Sequence, residues 1–579
     1  MKKYPNHILI AILVFFSTHA SFTQTNNYFK SDIIPPIDIP IYLSGTFGEL
    51  RSNHFHSGID IKTQGVEGKA ILAIADGWVS RIKISAEGYG KAIYITHPLG
   101  FVSVYGHLQK FNDSIQKLVV TKQYEKESFT IQIFPDKDQI KVKKGEMIAY
   151  SGNTGGSMGP HLHFEIRNEL SQHPINPLLF EDIKIKDYYR PKITKLAIYP
   201  VDQNSMINGK NDTVIYEISG WGLEHRIKGN PNITASGRIS FGISSYDLMN
   251  ETSNKNGVYC TKFYHDTTLI FDLNMDELSF NTTRYINSLI DYNYYSISKN
   301  RIIRTEVDTN NLLNAYDFVK NNGIINLNDT LTHSMIFNIE DAYGNESKLA
   351  FKVAAKISSN KQAIIKNDEE EGIFFPFSKK NKIDKDSIDV EFPTNSFYKS
   401  FYFNYSVLGN DSNSFSAIYK LHEQTTPVHK YFTIKIIPYS VNHELSNKIY
   451  ISYSADNSEF YYIDSKKEDE YIIGKSRQLG YYKLMMDTIP PEITEVNFFD
   501  GKKLNNQSNL KIKINDKQTG IITYKATLND EWILMEYDAK KDLLIYIFDD
   551  KIIKGNNEFR LVVTDMLDNV NEYKCTLIY

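Results

Sequence analysis

Between Ser151 and Arg167 a glycine-rich loop gives way at Pro160 to the run His-Leu-His-Phe-Glu-Ile-Arg. The run alternates strictly, which predicts a strand with His161, His163, Glu165 and Arg167 on one face and Leu162, Phe164 and Ile166 on the other. Same-face residues on a strand lie roughly 6.5–7 Å apart, so one imidazole can bind a metal while the other reaches whatever the metal holds. A His-x-His pair by itself also fits two solvated histidines on an exposed strand. Its meaning rests on further ligands elsewhere in the chain.

Such ligands lie upstream. Residues 44–60 are short β-type runs broken by glycine and end in His56-Ser-Gly-Ile-Asp60, where Gly58 predicts a tight bend between an imidazole and a carboxylate, both good zinc ligands. The apolar run from Ala70 to Ser80 is interrupted by Asp76-Gly77, which predicts a hairpin. Two strands follow, Gly90 to His97 and Phe101 to Leu108, with a turn at Gly100. In the second, alternation places Ser103, Tyr105 and His107 on a polar face. His97, beside Pro98, is assigned to the surface. Six of the 15 histidines fall between His54 and His163, a clustering that favours a site over scattered surface residues.

Three signatures, His-Ser-Gly-Ile-Asp at 56–60, Tyr-Gly-His-Leu at 105–108 and Gly-Pro-His-Leu-His-Phe-Glu at 159–165, stand in this order. Residues 44 to 168 thereby resemble the lysostaphin-type, LytM-like zinc endopeptidases that cut peptidoglycan cross-bridges. The resemblance implies that His56, Asp60 and His163 bind one Zn²⁺ and that His107 and His161 are the catalytic imidazoles. His161 is assigned as the base that orients water and His107 as the oxyanion partner, with the reverse left open. The residue types suit this chemistry: three protein ligands leave a fourth position for water, whose pKa falls from about 15.7 to about 7 on zinc, and an imidazole can take its proton. Residues Gln109 to Ile140 depart from the short loop usual in the family. They read as a charged segment with a strand-like run at 129–134, either bearing on substrate choice or a plain surface excursion.

A chain of 579 residues calls for three or four domains. Its 65 basic and 69 acidic residues leave a net charge of −4, which offers nucleic acid no surface. Residues 1–20, with Lys2, Lys3, an apolar run from Ile8 to Phe16 and Ala20, read as an export signal, too short for the roughly 18–20 residues of a membrane span. No later segment is long enough to span a bilayer. An extended lead (21–43) precedes the peptidase-like domain (44–186). The remainder is read as β modules: Ig-like sandwiches at 187–358 and 487–579 around a β-rich module at 373–486, with a boundary at Lys366 to Glu371. The expected fold class is all-β, an antiparallel β peptidase domain followed by Ig-like β-sandwich modules.

A weak repeat supports modules. Asp187…Pro191…Ile193 echoes Asp487…Pro491…Ile493, and Asp341…Asn345 echoes Asp565…Asn569, with Asp247…Asn250 a looser copy. These Asp and Asn residues are assigned as turn formers and not as calcium ligands. Cys260 and Cys575 provide no disulfide framework. His225, His265, His333, His422, His429 and His443 read as isolated surface or core residues. The expectation is an exported zinc metalloendopeptidase of the periplasm or cell envelope, with secretion open, acting on peptidoglycan peptide stems. Its β modules would position it or bind a protein partner. If they only tether, a chain ending near Asp187 should act alone. The alternatives are a catalytically silent scaffold or regulator of wall enzymes, and a zinc carboxypeptidase or amidase on another wall amide.

Overall fold

The alternating runs of the N-terminal third form strands β1 (Leu43–Gly45), β2 (Ile59–Lys62), β3 (Ala70–Leu72), β4 (Gly77–Ile84), β5 (Lys91–His97), β6 (Phe101–Gly106), β7 (Lys110–Phe111), β8 (Ile131–Ile133), β9 (Lys141–Val142), β10 (Met147–Tyr150), β11 (His161–Asn168) and β12 (Pro174–Ile175), with one helix, α1 (Asp113–Lys126). This computed structural model describes residues 32–183, 185–357, 372–385, 387–411, 413–439 and 443–579. The expected export signal at 1–20 and the boundary at Lys366 to Glu371 lie outside them. No helix among the described residues is long and apolar enough to cross a membrane.

The main sheet runs in the order β1-β2-β11-β6-β5-β4-β8, with antiparallel neighbours. A smaller sheet, β3-β10-β7, lies beside it. Here the sequence reading needs correction. Asp76-Gly77 does not turn a hairpin, because β3 pairs with β10 and β4 with β5. Instead it carries the chain from one sheet to the other, and a Cβ on Gly77 would meet Thr96 O at 2.4 Å.

β5 and β6 are buried along their whole length, so neither has a solvent-facing side; Ser103 and Tyr105 share a face, as expected, but are buried and hydrogen-bonded to each other (3.1 Å). His97 accordingly is fully buried: Nδ1 donates to Asp76 O (2.9 Å) and Nε2 accepts from Ser103 Oγ (2.7 Å). Its position beside Pro98 suggested exposure, but Asp76, Ser103 and the Phe101 ring enclose it. The charged segment after Gln109 is largely helix. Asn112 caps α1 by accepting from Ile115 N (3.1 Å), and Ile115, Val119 and Gln123, four apart, form the buried face. Of the strand-like run at 129–134, Ile131–Ile133 forms β8.

Residues 192–355 form a 12-stranded sheet in which Ile233–Tyr246 pairs with both Lys192–Pro200 and Glu346–Ala355. Two five-stranded sheets follow between 381 and 486, and two four-stranded sheets between 492 and 578. The hydrophobic core does not break near residue 186. One continuous cluster joins Phe55, Ile175, Leu178 and Phe180 to Met275, Leu278, Phe241 and Phe337, and Asn176 Nδ2 donates to Met275 O across the junction (3.0 Å). The last module folds back on the first domain. Lys91 pairs with Glu536 (2.8 Å), Tyr124 bonds Asp549 and meets Trp532 edge-on, and Lys540 Nζ donates to Asn153 O and Ser157 O.

Candidate metal centre

The register of β2 against β11 builds the centre, because it sets His163 directly opposite Asp60. His56 lies just before β2 and reaches the same point. Gly58 sits in a bend, as expected, and also serves close approach: a Cβ there would stand 2.3 Å from Phe164 O. His56 Nε2, His163 Nδ1 and Asp60 Oδ1 are mutually 2.9–3.1 Å apart. All three residues are buried.

The partners of the other ring atoms fix what these atoms offer. His56 Nδ1 is 2.8 Å from Thr46 O, which can only accept, so the proton sits on Nδ1 and Nε2 presents a lone pair. His163 Nε2 is 2.8 Å from Glu165 Oε1, so its Nδ1 likewise turns a lone pair inward. Two lone pairs and a carboxylate oxygen at such separations repel unless a cation lies between them. Ligands about 2.0–2.1 Å from a tetrahedral zinc stand about 3.3–3.4 Å from one another, so the donor set fits that ion with a few tenths of an ångström of relaxation. Without metal a proton substitutes. Burial opposes charging His163, but Asp60 and Glu165 outweigh it and push the ring up to about 9. Burial also disfavours the Asp60 anion, yet the three histidines hold its carboxyl well below the usual range. Metal binding therefore displaces a proton.

His161 and His107 complete the group. His161 shares the face of His163, as the alternation requires, and its Nε2 is 3.5 Å from Asp60 Oδ1 while Nδ1 contacts Gly159 O (2.8 Å) and Ser157 Oγ (3.1 Å). His107 arrives differently from the sequence reading. β6 ends at Gly106, and His107 adopts a left-handed conformation (φ 57°) that turns its ring toward His161, 4.7 Å between centroids. Its Nδ1 donates to Thr154 O (2.8 Å). Burial, with His163 and His161 nearby, pushes His107 down to about 3, so this imidazole is neutral.

All five anticipated residues thus meet at one point. Sequence comparison places them in a known family, since the description "Peptidase family M23" matches residues 54–124 and 131–177. Residues 54–177 are an M23 peptidase domain. An uncharacterised metalloprotease of Haemophilus influenzae is 35% identical over 123 residues, 21% of this chain and 20% of that protein. The DD-carboxypeptidase/endopeptidase Mpg of Neisseria meningitidis is 32% identical over 129 residues (22% and 23%). The murein hydrolase activator NlpD of Escherichia coli is 36% identical over 135 residues (23% and 28%). The match thus spans about a fifth to a quarter of these relatives. Among solved structures, the catalytic domain of the prophage-encoded M23 protein EnpA from Enterococcus faecalis aligns at 25% identity and TM-score 0.19, covering 25% of this chain and 94% of that one. A second description, "Zu5-like domain", matches residues 373–487.

The M23 match is interrupted at 125–130, so most of the segment expected to depart from the family lies within it. The sequence reading missed the groups that brace the ligands. Glu165 is fully buried and accepts from His163 Nε2, Tyr89 OH (2.6 Å), Ser57 Oγ (2.6 Å) and Arg167 Nε (2.5 Å). Arg51 donates to Asp60 Oδ2 (2.7 Å), leaving Oδ1 for the metal. The alternation that placed Glu165 and Arg167 beside His163 was a usable signal, whereas Tyr89 and Arg51 are supplied by tertiary contact.

Proposed function

We propose that the M23 domain is a zinc-dependent endopeptidase that hydrolyses peptide cross-links of peptidoglycan, in a protein exported to the periplasm or cell envelope. The supporting observation is the convergence of His56, Asp60 and His163 with two further imidazoles whose Nδ1 atoms are both tied to backbone carbonyls. His56, Asp60 and His163 would hold one Zn²⁺, which when bound acts as a Lewis acid and lowers the pKa of water to about 7.

The hydrogen-bond pattern favours a division of labour between the imidazoles. Both Nδ1 atoms carry the proton, so both Nε2 atoms are acceptors and neither can donate to an oxyanion in the resting state. His161 takes a proton from water, and the imidazolium it becomes donates that proton to the leaving amine nitrogen. His107, kept neutral by burial, accepts a hydrogen bond from the attacking water and orients it. This supports His161 as base and gives His107 an orienting role in place of the oxyanion contact expected from sequence. Thr46 and Glu165 hold the two histidine ligands in the required tautomers, and Arg51 orients the Asp60 carboxylate.

Chromatography of muropeptides released from purified sacculi, with and without a zinc chelator, tests the reading. Chelator-sensitive conversion of cross-linked dimers to monomers is expected. Release of only a terminal residue would instead indicate a carboxypeptidase, the other activity named for the Neisseria relative. An unchanged profile from zinc-loaded protein would favour a regulator, as the NlpD name suggests for that protein.

A further inference from the structure

The recurring Asp residues meet in space. Asp187, in the segment leaving the M23 domain, Asp247, just after strand Ile233–Tyr246, and Asp341, in the turn after Thr332–Glu340, bring carboxylate oxygens within 4.8 Å of one another. They are 7%, 1% and 3% exposed. Asp341 is a turn former as expected, since Oδ1 accepts from Tyr343 N and Asn345 N and Oδ2 from Asn345 Nδ2. Turn chemistry accounts for only part of the other two: Asp187 Oδ1 accepts from Tyr189 N (3.0 Å), but Asp187 Oδ2 and Asp247 Oδ1 are buried without a hydrogen-bond partner, an arrangement unfavourable to the anions unless a proton or a cation is supplied.

A separate side chain points to the same place. Asn256 is 3% exposed, and both its amide atoms lack partners. It forms a reciprocal backbone bridge with Asp247, with each N–H donating to the other's carbonyl at 2.9 Å, and such paired residues put their side chains on one face. The Asn256 amide oxygen is thus a third unengaged oxygen, with Asp187 Oδ2 and Asp247 Oδ1, in a cluster of three carboxylates. The groups acting on Asp187 and Asp247 are burial, neighbouring carboxylates and backbone N–H groups, which together push their carboxyls up to about 7 and about 9.

We propose that Asp187, Asp247, Asp341 and Asn256 form a calcium site that clasps the start of the second domain to two of its turns. An all-oxygen donor set selects a hard cation. Four ligands on four separated segments suit the variable coordination of Ca²⁺ better than the near-octahedral shell demanded by Mg²⁺. The echo of this cluster in the last module provides a contrast. There Asp565 is bonded as Asp341 is, by Leu567 N, Asn569 N and Asn569 Nδ2, but Asp487 Oδ2, the counterpart of the bare Asp187 Oδ2, accepts from Thr519 Oγ1 (2.8 Å) and so has a partner without an ion.

The test uses the zinc-loaded full chain freed of calcium with a calcium-selective chelator. Calorimetric unfolding in CaCl₂, in MgCl₂ and without either should show a rise in Tm of about 5–10 °C at a calcium concentration a hundred times Kd. Asp247→Asn should lose one bound calcium per chain by elemental analysis, lose the calcium-dependent rise, and melt no lower than the wild type in calcium-free buffer, because the amide keeps the shape of a carboxyl that burial and its neighbours already hold uncharged. Equal Tm of the wild type with and without about 10 mM calcium, in the upper affinity range of such sites, would overturn the proposal without recourse to any variant. So would an undiminished calcium count in Asp247→Asn, or an equal response to magnesium.

Discussion

Glu165 is the group on which the metal centre should depend most, although it does not touch the metal. In Glu165→Gln the shape is kept, but one of two acceptor oxygens becomes an amide donor facing His163, Tyr89, Ser57 and Arg167, which all donate. Arg167, 7% exposed, would lose its counter-charge, and breaking a buried ion pair from one side costs about 3–5 kcal/mol. That is about a fifth or more of the stability of an ordinary domain. If the new amide faces His163, the ring's proton moves to Nδ1 and the inward lone pair is lost. Zinc affinity should then fall about 10–100-fold, equivalent to about 1.4–2.8 kcal/mol. Competition with a chromophoric chelator reads the affinity, and calorimetry of the transition belonging to the N-terminal domain reads the stability. Zinc binding within about threefold of wild type together with an unshifted transition would falsify the bracing role.

Other consequences are equally open to measurement. His107→Ala should retain stoichiometric zinc and lose turnover by about 10²–10⁴-fold; loss of zinc would make His107 a ligand, and normal turnover would remove it from catalysis. Burial pushes His97 down to about 4, against about 6.5 in an unfolded chain. The unfolded state then binds more protons between these values, so stability fully present above about pH 6.5 is lost as pH falls toward 4, by about 3 kcal/mol at most. His97→Asn, which can still donate to Asp76 O, should flatten that acid-side slope, and an unchanged slope would contradict the assignment. Because the core continues past Phe180 into Met275 and Leu278, a fragment of residues 44–186 should bind apolar dyes and aggregate where a fragment of 32–357 does not. A monomeric, cooperatively melting 44–186 fragment would refute a shared core.

The full ligand set was implied by the resemblance of the three motifs, whereas the shared face of the two strand-borne imidazoles was legible because period-two alternation fixes which side chains point together, whatever lies around the strand. His161 and His163 needed nothing more. His107 was found through its motif but not through its geometry: one left-handed residue after Gly106 ends the alternation, and nothing local in the sequence marks it. His97 was misplaced because a neighbouring proline describes the backbone and not what covers it. Glu165 and Arg167 were read as a polar face, although each is buried by its pairing with the other and with Tyr89 and Ser57. The histidines after residue 170 were read as isolated, yet His265 and His333 approach to 2.9 Å between adjacent strands, with Asp266 and Asp329 alongside. The aspartate repeats were seen as local turns, which they are, while their meeting depends on strands far apart in sequence.

The return of the last module to the first domain also bears on how the enzyme is made. Lys540 grips the carbonyls of Asn153 and Ser157, in the same loop whose Thr154 carbonyl holds His107 and whose Ser157 hydroxyl meets His161. The residues that steady this loop are therefore translated long after the imidazoles they steady. A chain stopped short, or clipped ahead of residue 487, would carry every ligand but lack this brace. Arrival of the distal module would then act as a safeguard, since the loop that carries the contacts to His107 and His161 is fully braced only once that module is in place.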